Sequence, residues 1–294
     1  MAYATNGPVQ IFYETFGDPG DPTLVLVNGL GSQCINYRTE WCERFVAKGL
    51  HVVRMDNRDV GLSTHFTDVT PDLARVIAAI TKGEPADVPY TLSDMAADVI
   101  AVLDALGIER AHVMGVSMGG MIVQALAIEH PQRLRSIISV MSSTGEVEYG
   151  QATSEARAKL FGPPATNREE AVENHLAGLR IWGSPGKVDE EAQARFAGEA
   201  FDRAFDPAGV GRQMVGITAS GPRADALRDV RVPTLVMHGS ADTLIEPSGG
   251  RRTAELIPGA ELVLLDGMGH DYPTAYWDEW VEVVAEHAAK ADTV

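Results

Sequence analysis

The stretch Ala111-His112-Val113-Met114-Gly115-Val116-Ser117-Met118-Gly119-Gly120 decides the fold. Ala111 to Val116 is a short apolar run of the kind that forms a strand buried on both faces. From Met118 the pattern turns helical, and a serine flanked by Gly115 and Gly119 sits at the junction. A strand-to-helix turn this tight leaves no room for side chains beside the serine and holds it at strained backbone angles. Gly120 adds a second small residue where the helix would approach its neighbours. The serine oxygen is then lifted out at the carboxyl end of the sheet, where open α/β sheets bind ligands. A plain strand-helix turn is the competing reading, and the features that follow weigh against it.

Working outward, the runs Thr23–Val27, Leu50–Met55, Ser136–Met141, Thr234–His238 and Ala260–Leu265 read as further buried strands. Ahead of them Val9, Ile11 and Tyr13 alternate with Gln10, Phe12 and Glu14, a period-2 strand closed by the turn-rich residues 17–22. Helix-length segments separate most of these runs. The clearest is 92–106, with Thr91 and Asp94 placed as a capping box and Gly107 as the stop. Strands alternating with helices predict an α/β fold, a mostly parallel central sheet flanked by helices on both faces.

Residues 145–228 break the rhythm: they are rich in Ala, Arg and Glu and hold no convincing buried strand. They read as a helical lid inserted into a core made of residues 1–144 and 229–294. Its apolar residues, among them Phe161, Leu179 and Trp182, either hold the insertion down or line a pocket beneath it. The chain ends in an amphipathic helix whose Trp277, Trp280, Val281 and Val284 read as core anchors.

Composition narrows the function classes. The 294 residues are 45% hydrophobic and 22% charged, with a formal net charge of −17. That balance argues against nucleic-acid or anionic-membrane partners, which need a basic footprint. No basic-then-apolar leader is visible at Met1, and no apolar run approaches the roughly 20 residues that span a bilayer. Cys34 and Cys42 read as two packed thiols in a reducing compartment, so the expected location is cytoplasmic. The expected partner is a small molecule, and monomer or homodimer both remain open.

A serine hydroxyl is a poor nucleophile until a base takes its proton and an acid orients that base. Of eight histidines, His51 and His112 start strands, the wrong end of a parallel sheet, and His130 and His287 sit on helices. His175 lies in the insertion, His65 has no strand leading into it, and His238 ends a strand, where packing or a hydrogen bond suits it. His270, in Gly267-Met268-Gly269-His270 after the last strand, can swing over Ser117 and is the expected base. Asp242, on the loop His238-Gly239-Ser240-Ala241-Asp242, is the expected acid, ahead of Asp266 and Asp271. The order Ser117, Asp242, His270 suits this sheet architecture. Asn28-Gly29-Leu30-Gly31 bends after a strand and exposes backbone donors, so the backbone N–H groups of Leu30 and Met118 are the expected oxyanion hole.

With these motifs in order, the chain resembles the α/β-hydrolase superfamily, and within it the aclacinomycin methylesterase-like group. The resemblance also rests on Asp56-Asn57-Arg58-Asp59-Val60-Gly61-Leu62-Ser63. There are two departures: Asn28 stands where the family commonly has His, and Asp59 where it commonly has Gly. The resemblance implies a serine hydrolase that cleaves a carboxylic ester of a small, largely apolar molecule through an acyl-enzyme. No metal or organic cofactor is expected, and neither a His-Glu-x-x-His motif nor a Walker-type loop is present. The alternatives are C–C bond hydrolysis, perhydrolysis or cyanohydrin cleavage on the same residues, or a near-inert ligand receptor.

Overall fold

The computed structural model describes residues 2–293. In chain order the elements are β1 (Ala2–Asn6), β2 (Val9–Phe16), β3 (Thr23–Val27), α1 (Thr39–Val46), β4 (His51–Met55), α2 (Leu73–Thr81), α3 (Leu92–Leu106), β5 (Ala111–Val116) and α4 (Met118–Glu129). They continue with β6 (Leu134–Val140), α5 (Ser154–Leu160), α6 (Arg168–Trp182), α7 (Glu190–Arg203), α8 (Pro207–Ser220), α9 (Ala224–Leu227), β7 (Thr234–Gly239), α10 (Ser248–Leu256), β8 (Glu261–Leu265) and α11 (Trp277–Ala291).

The strands form one eight-stranded sheet in the order β1-β2-β4-β3-β5-β6-β7-β8. From β4 to β8 every pairing is parallel, while β1 and β2 run antiparallel at one edge. The parallel strands β3, β4, β5, β6 and β7 are buried almost throughout, which is why they read as unbroken apolar runs. Helices α3, α4 and α10 pack on one face of the sheet, and α1 and α11 on the other. On that second face Trp41 stacks on Trp277 and meets Trp280 edge-on at 5.1 Å, so the carboxyl-terminal aromatics are core anchors. Helix α3 begins at the Thr91–Asp94 capping box and ends at Gly107, which takes the left-handed φ of 68°.

Three features depart from the sequence expectations. Strand β8, read as a buried strand, is an edge strand with Glu261 and Leu262 exposed and only Leu265 fully buried. Strand β1 was not among the expected strands, because Ala2-Tyr3-Ala4-Thr5-Asn6 carries little apolar signal of its own. Phe12, expected on the polar face of β2, is buried: Tyr3 packs against it at 5.6 Å and the Arg203 guanidinium lies 5.0 Å over its ring. At Phe12 the polar face of that strand is therefore covered by a cation from a distant helix, while Gln10 on the same face stays exposed.

Between β6 and β7 run the five helices α5 to α9, and among the described residues no strand interrupts them. They form a cap over the carboxyl ends of the parallel strands. Cys34 and Cys42 are both free and buried. Among the described residues no helix is long and apolar enough to cross a membrane.

Candidate active site

Ser117 joins β5 to α4 at φ 58° and ψ −118°, a backbone conformation that L side chains rarely adopt. Its N–H donates to the Val140 carbonyl at 2.8 Å, and the Ser142 hydroxyl donates to its carbonyl at 2.8 Å. The flanking glycines are sterically required. A Cβ on Gly115 would lie 2.0 Å from the Gly119 carbonyl oxygen, and one on Gly119 would lie 2.2 Å from that of Val27. Gly120 has the same role against Ser142, at 2.4 Å.

The other two chemistry-bearing side chains arrive from loops at the same sheet edge. His270 follows β8 and Asp242 follows β7, and the His270 Nδ1 lies 2.7 Å from the Asp242 carboxylate. The second oxygen of Asp242 accepts the N–H groups of Leu244 and Ile245, each at 2.9 Å. Burial alone would raise this carboxyl, but the His270 charge and the hydrogen bonds of His238 and His270 outweigh it and hold it at about 2. Asp242 is therefore a fixed anion aimed at the imidazole.

Ser117 and His270 line one cavity of about 650 Å3. The rival carboxylates point elsewhere: Asp266 accepts from Ser240 at 3.2 Å, and Asp271 turns to Ser184. The loop after β3 lies against the serine, since a Cβ on Gly29 would come within 3.1 Å of the Ser117 Cβ. Leu30 and Met118 both border the cavity. Among the described residues neither of their backbone N–H groups donates to the protein.

Comparison with known proteins bears on the same residues. The family model for the alpha/beta hydrolase fold matches residues 22–272. The chain belongs to the α/β-hydrolase fold family. It is 28% identical to rhodomycin D methylesterase DnrP of Streptomyces peucetius, across 98% of this chain and 97% of the relative. It is also 28% identical to 2-hydroxymuconate semialdehyde hydrolase of Pseudomonas putida, across 71% and 73% of the two chains. Among solved structures, the enol-lactonase of Burkholderia xenovorans LB400 superposes with a TM-score of 0.74 at 23% identity, covering 98% of this chain and all of that one.

Within this α/β-hydrolase, only the second departure from the family pattern has a structural counterpart, and the Asn28 side-chain amide is buried with no hydrogen-bond partner among the described residues. The Asn28 backbone carbonyl accepts from the Asn57 side chain at 2.9 Å, which ties the loop after β3 to the loop after β4. Asp59 stands at φ 67°, the left-handed region that favours glycine, and its carboxylate holds the strained turn. It accepts the Phe66 N–H at 2.8 Å, the Arg212 guanidinium at 2.9 Å and the Tyr90 hydroxyl at 2.5 Å. Arg212 also pairs with Asp206, which in turn meets His65 at 2.8 Å. Asp59, His65 and Asp206 bring ligand atoms together as a metal site would, but the Arg212 cation already pairs with both carboxylates.

Phe161, Leu179 and Trp182 of the cap all border the cavity, together with Tyr272 from the core. A second cavity of about 640 Å3 adjoins it, sharing Leu30, Phe161, Trp182 and Met214. His238 packs and hydrogen-bonds at its strand end as expected, whereas Gln213 and Ser184 escaped the sequence reading. His238, already donating to the Ile245 carbonyl at 2.7 Å, lies 3.3 Å from Asp242. Gln213 of α8 accepts the Gly31 N–H and donates to the Arg58 carbonyl, both at 2.8 Å, so the cap grips the loop after β3. Ser184 engages the histidine loop from the end of α6. In sequence the last two look like ordinary polar residues.

Proposed function

We propose that this α/β-hydrolase is a carboxylic-ester hydrolase with Ser117 as nucleophile, His270 as general base and Asp242 as the acid that orients it. The observation that carries the reading is a serine on a strained turn sharing one cavity with an imidazole whose far nitrogen meets a buried, ionised aspartate. His270 takes the Ser117 proton as the hydroxyl attacks the acyl carbon. Asp242 keeps the proton of the resting imidazole on Nδ1 and steadies the imidazolium. The Leu30 and Met118 N–H groups bind the tetrahedral oxyanion, an interaction in which one donor is worth about 2.7–4 kcal/mol. His270 then protonates the leaving alkoxide, and water repeats the sequence on the acyl-enzyme.

Residues 145–228 act as the lid of this site, with Phe161, Leu179 and Trp182 on the substrate. Two adjoining chambers bounded in common by Leu30, Phe161 and Trp182 suit an ester whose arms diverge from the reacting carbon. The end-to-end likeness to rhodomycin D methylesterase supports a methyl ester as the bond cleaved.

The test is a panel of short aryl esters and bulky methyl esters assayed with the native enzyme and Ser117→Ala, with mass spectrometry of trapped acyl-enzyme. A mass increment on the peptide carrying Ser117, and its loss in the variant, is the expected result. The likeness to 2-hydroxymuconate semialdehyde hydrolase favours a second reading, C–C bond hydrolysis on the same residues. Turnover of a vinylogous diketone with no turnover of any ester would replace the first reading by the second.

A further inference from the structure

The chain segment 182–184, which leaves the end of α6, runs alongside the histidine loop at unusually close range. The His270 N–H donates to the Trp182 carbonyl at 2.5 Å. The Gly269 N–H donates to the Ser184 hydroxyl oxygen at 2.9 Å, and that hydroxyl donates to the Asp271 carboxylate at 2.5 Å. The Ser184 N–H donates to both oxygens of the same carboxylate at 3.1 Å. Residues 269, 270 and 271 are thus each bonded to the cap. The approach is so close that a Cβ on Gly269 would sit 2.3 Å from the Trp182 carbonyl oxygen. One turn away, the Thr243 hydroxyl donates to the Ile181 carbonyl at 2.9 Å, tying the loop that carries Asp242 to the same helix end.

Ser184 is 1% exposed, so its hydroxyl is dry and its bonds are not exchanged with bulk water. Its hydroxyl holds the Gly269 backbone on one side of His270 and the Asp271 side chain on the other, and Ser184 does not line the cavity. The Gly269 side of the loop has no Cβ to pack, and a loop so built keeps its register only through such bonds.

We propose that Ser184 is a positioning residue: its hydroxyl and the Asp271 carboxylate together register the His270 loop against the cap, so that the imidazole is held over Ser117 only while the cap is seated. This rests on the serine-esterase reading above. Its consequence is that the cap contributes to the chemical step as well as to the choice of substrate.

The experiment compares Ser184→Ala, Asp271→Asn and the double variant on p-nitrophenyl butyrate, with Ser117→Ala as the reference. Misplacing a catalytic group by an ångström costs about 100-fold, so Ser184→Ala is expected to lower kcat by about 10- to 100-fold with KM nearly unchanged. Asp271→Asn removes the charge beside His270 but keeps an oxygen for the Ser184 hydroxyl, and is expected to lose less. The double variant is expected to be little worse than Ser184→Ala, because the two residues act as one unit. Thermal unfolding of each variant separates a lost fold from a misplaced loop.

Wild-type kcat in a folded Ser184→Ala protein would overturn the proposal, as would a larger loss in Asp271→Asn, which would assign the effect to charge. A proportionate rise in KM with kcat intact would equally overturn it, making the residue part of substrate binding. Should Ser117→Ala keep its turnover, the esterase reading itself fails; should it lose turnover while Ser184→Ala does not, only the positioning role fails.

Discussion

Strand β5 carries a serine–histidine–aspartate grouping at each end, and the two could hardly differ more in what they can do. At its carboxyl end Ser117 shares a cavity with His270, which is bonded to Asp242 at 2.7 Å. At its amino end His112 pairs in register with Ser136 of β6, their side chains 2.8 Å apart, and the other ring nitrogen lies 3.4 Å from Asp292. His112 and Ser136 are fully buried, and neither borders the two cavities described above. Ser136 also sits within a regular strand, with no positive φ to lift its oxygen out. The residue types are therefore not what makes a site. A strained turn at the carboxyl edge, an open cavity and unclaimed backbone donors separate the proposed catalytic group from the structural one.

The sharpest way to break this contrast is to remove each serine. Ser117→Ala is expected to abolish ester turnover, and loss of such a nucleophile in a serine hydrolase costs about 10⁶-fold in kcat. Ser136→Ala is expected to keep kcat and to lose about 1 kcal/mol of stability with its hydrogen bond. A large kcat loss in Ser136→Ala would erase the distinction.

The acids come next. Asp242→Asn leaves the imidazole in the wrong tautomer and is expected to cost about 10⁴-fold in kcat. Asp292→Asn is expected to leave steady-state kinetics unchanged. Equal kinetics for Asp242→Asn and the native enzyme would hand the orienting role to another carboxylate.

A smaller effect is expected at the oxyanion loop. Gln213→Leu removes the acceptor for the Gly31 N–H and the donor to the Arg58 carbonyl. The loop can then relax by an ångström or so, for about 10- to 100-fold in kcat. A boronate inhibitor that forms the tetrahedral adduct is expected to lose affinity in parallel, while KM stays put. Unchanged boronate affinity would mean that Gln213 supports the cap alone.

Much of this architecture was legible in the sequence because it rests on local patterns. The buried parallel strands read as apolar runs, the glycines around Ser117 announced the turn, and the loops bearing Asp242 and His270 each followed such a run. What was not legible depends on partners far along the chain. Gln213 and Gly31 are 182 residues apart, and Ser184 and Asp271 are 87 apart. A buried glutamine or serine that anchors a loop has the same letter as one facing water, and only packing tells them apart. Phe12 misled for a related reason, since period-2 alternation assumes one wet face and Arg203 covers that face at this position. The resemblance marked Asp59 as a departure, but its compensation by Tyr90 and Arg212 needed the folded chain.

The last contrast between the two ends of β5 is in their response to acid, and it touches stability alone. Burial pushes the His112 imidazole down to about 4, outweighing the nearby Asp292 carboxylate that would raise it. In the unfolded chain a histidine titrates near 6.5. Between those values the unfolded chain binds a proton that the folded chain refuses. The His112 contribution is thus fully present above about pH 6.5 and is lost as pH falls toward 4, on the order of 3 kcal/mol in all. Asp242, held at about 2, also contributes above its unfolded value near 3.9, but its share is lost only below that pH. The two ends of the strand therefore weaken in different pH windows. Burial lowers His51, His175 and His287 as well, so the informative quantity is the difference between native protein and His112→Gln. Urea midpoints at pH 7 and pH 4.5 are expected to fall closer together in His112→Gln, with kcat at pH 7 unaltered. An acid loss of the same size in both proteins would show that the amino-terminal histidine keeps its proton on folding, and would remove the electrostatic half of the contrast.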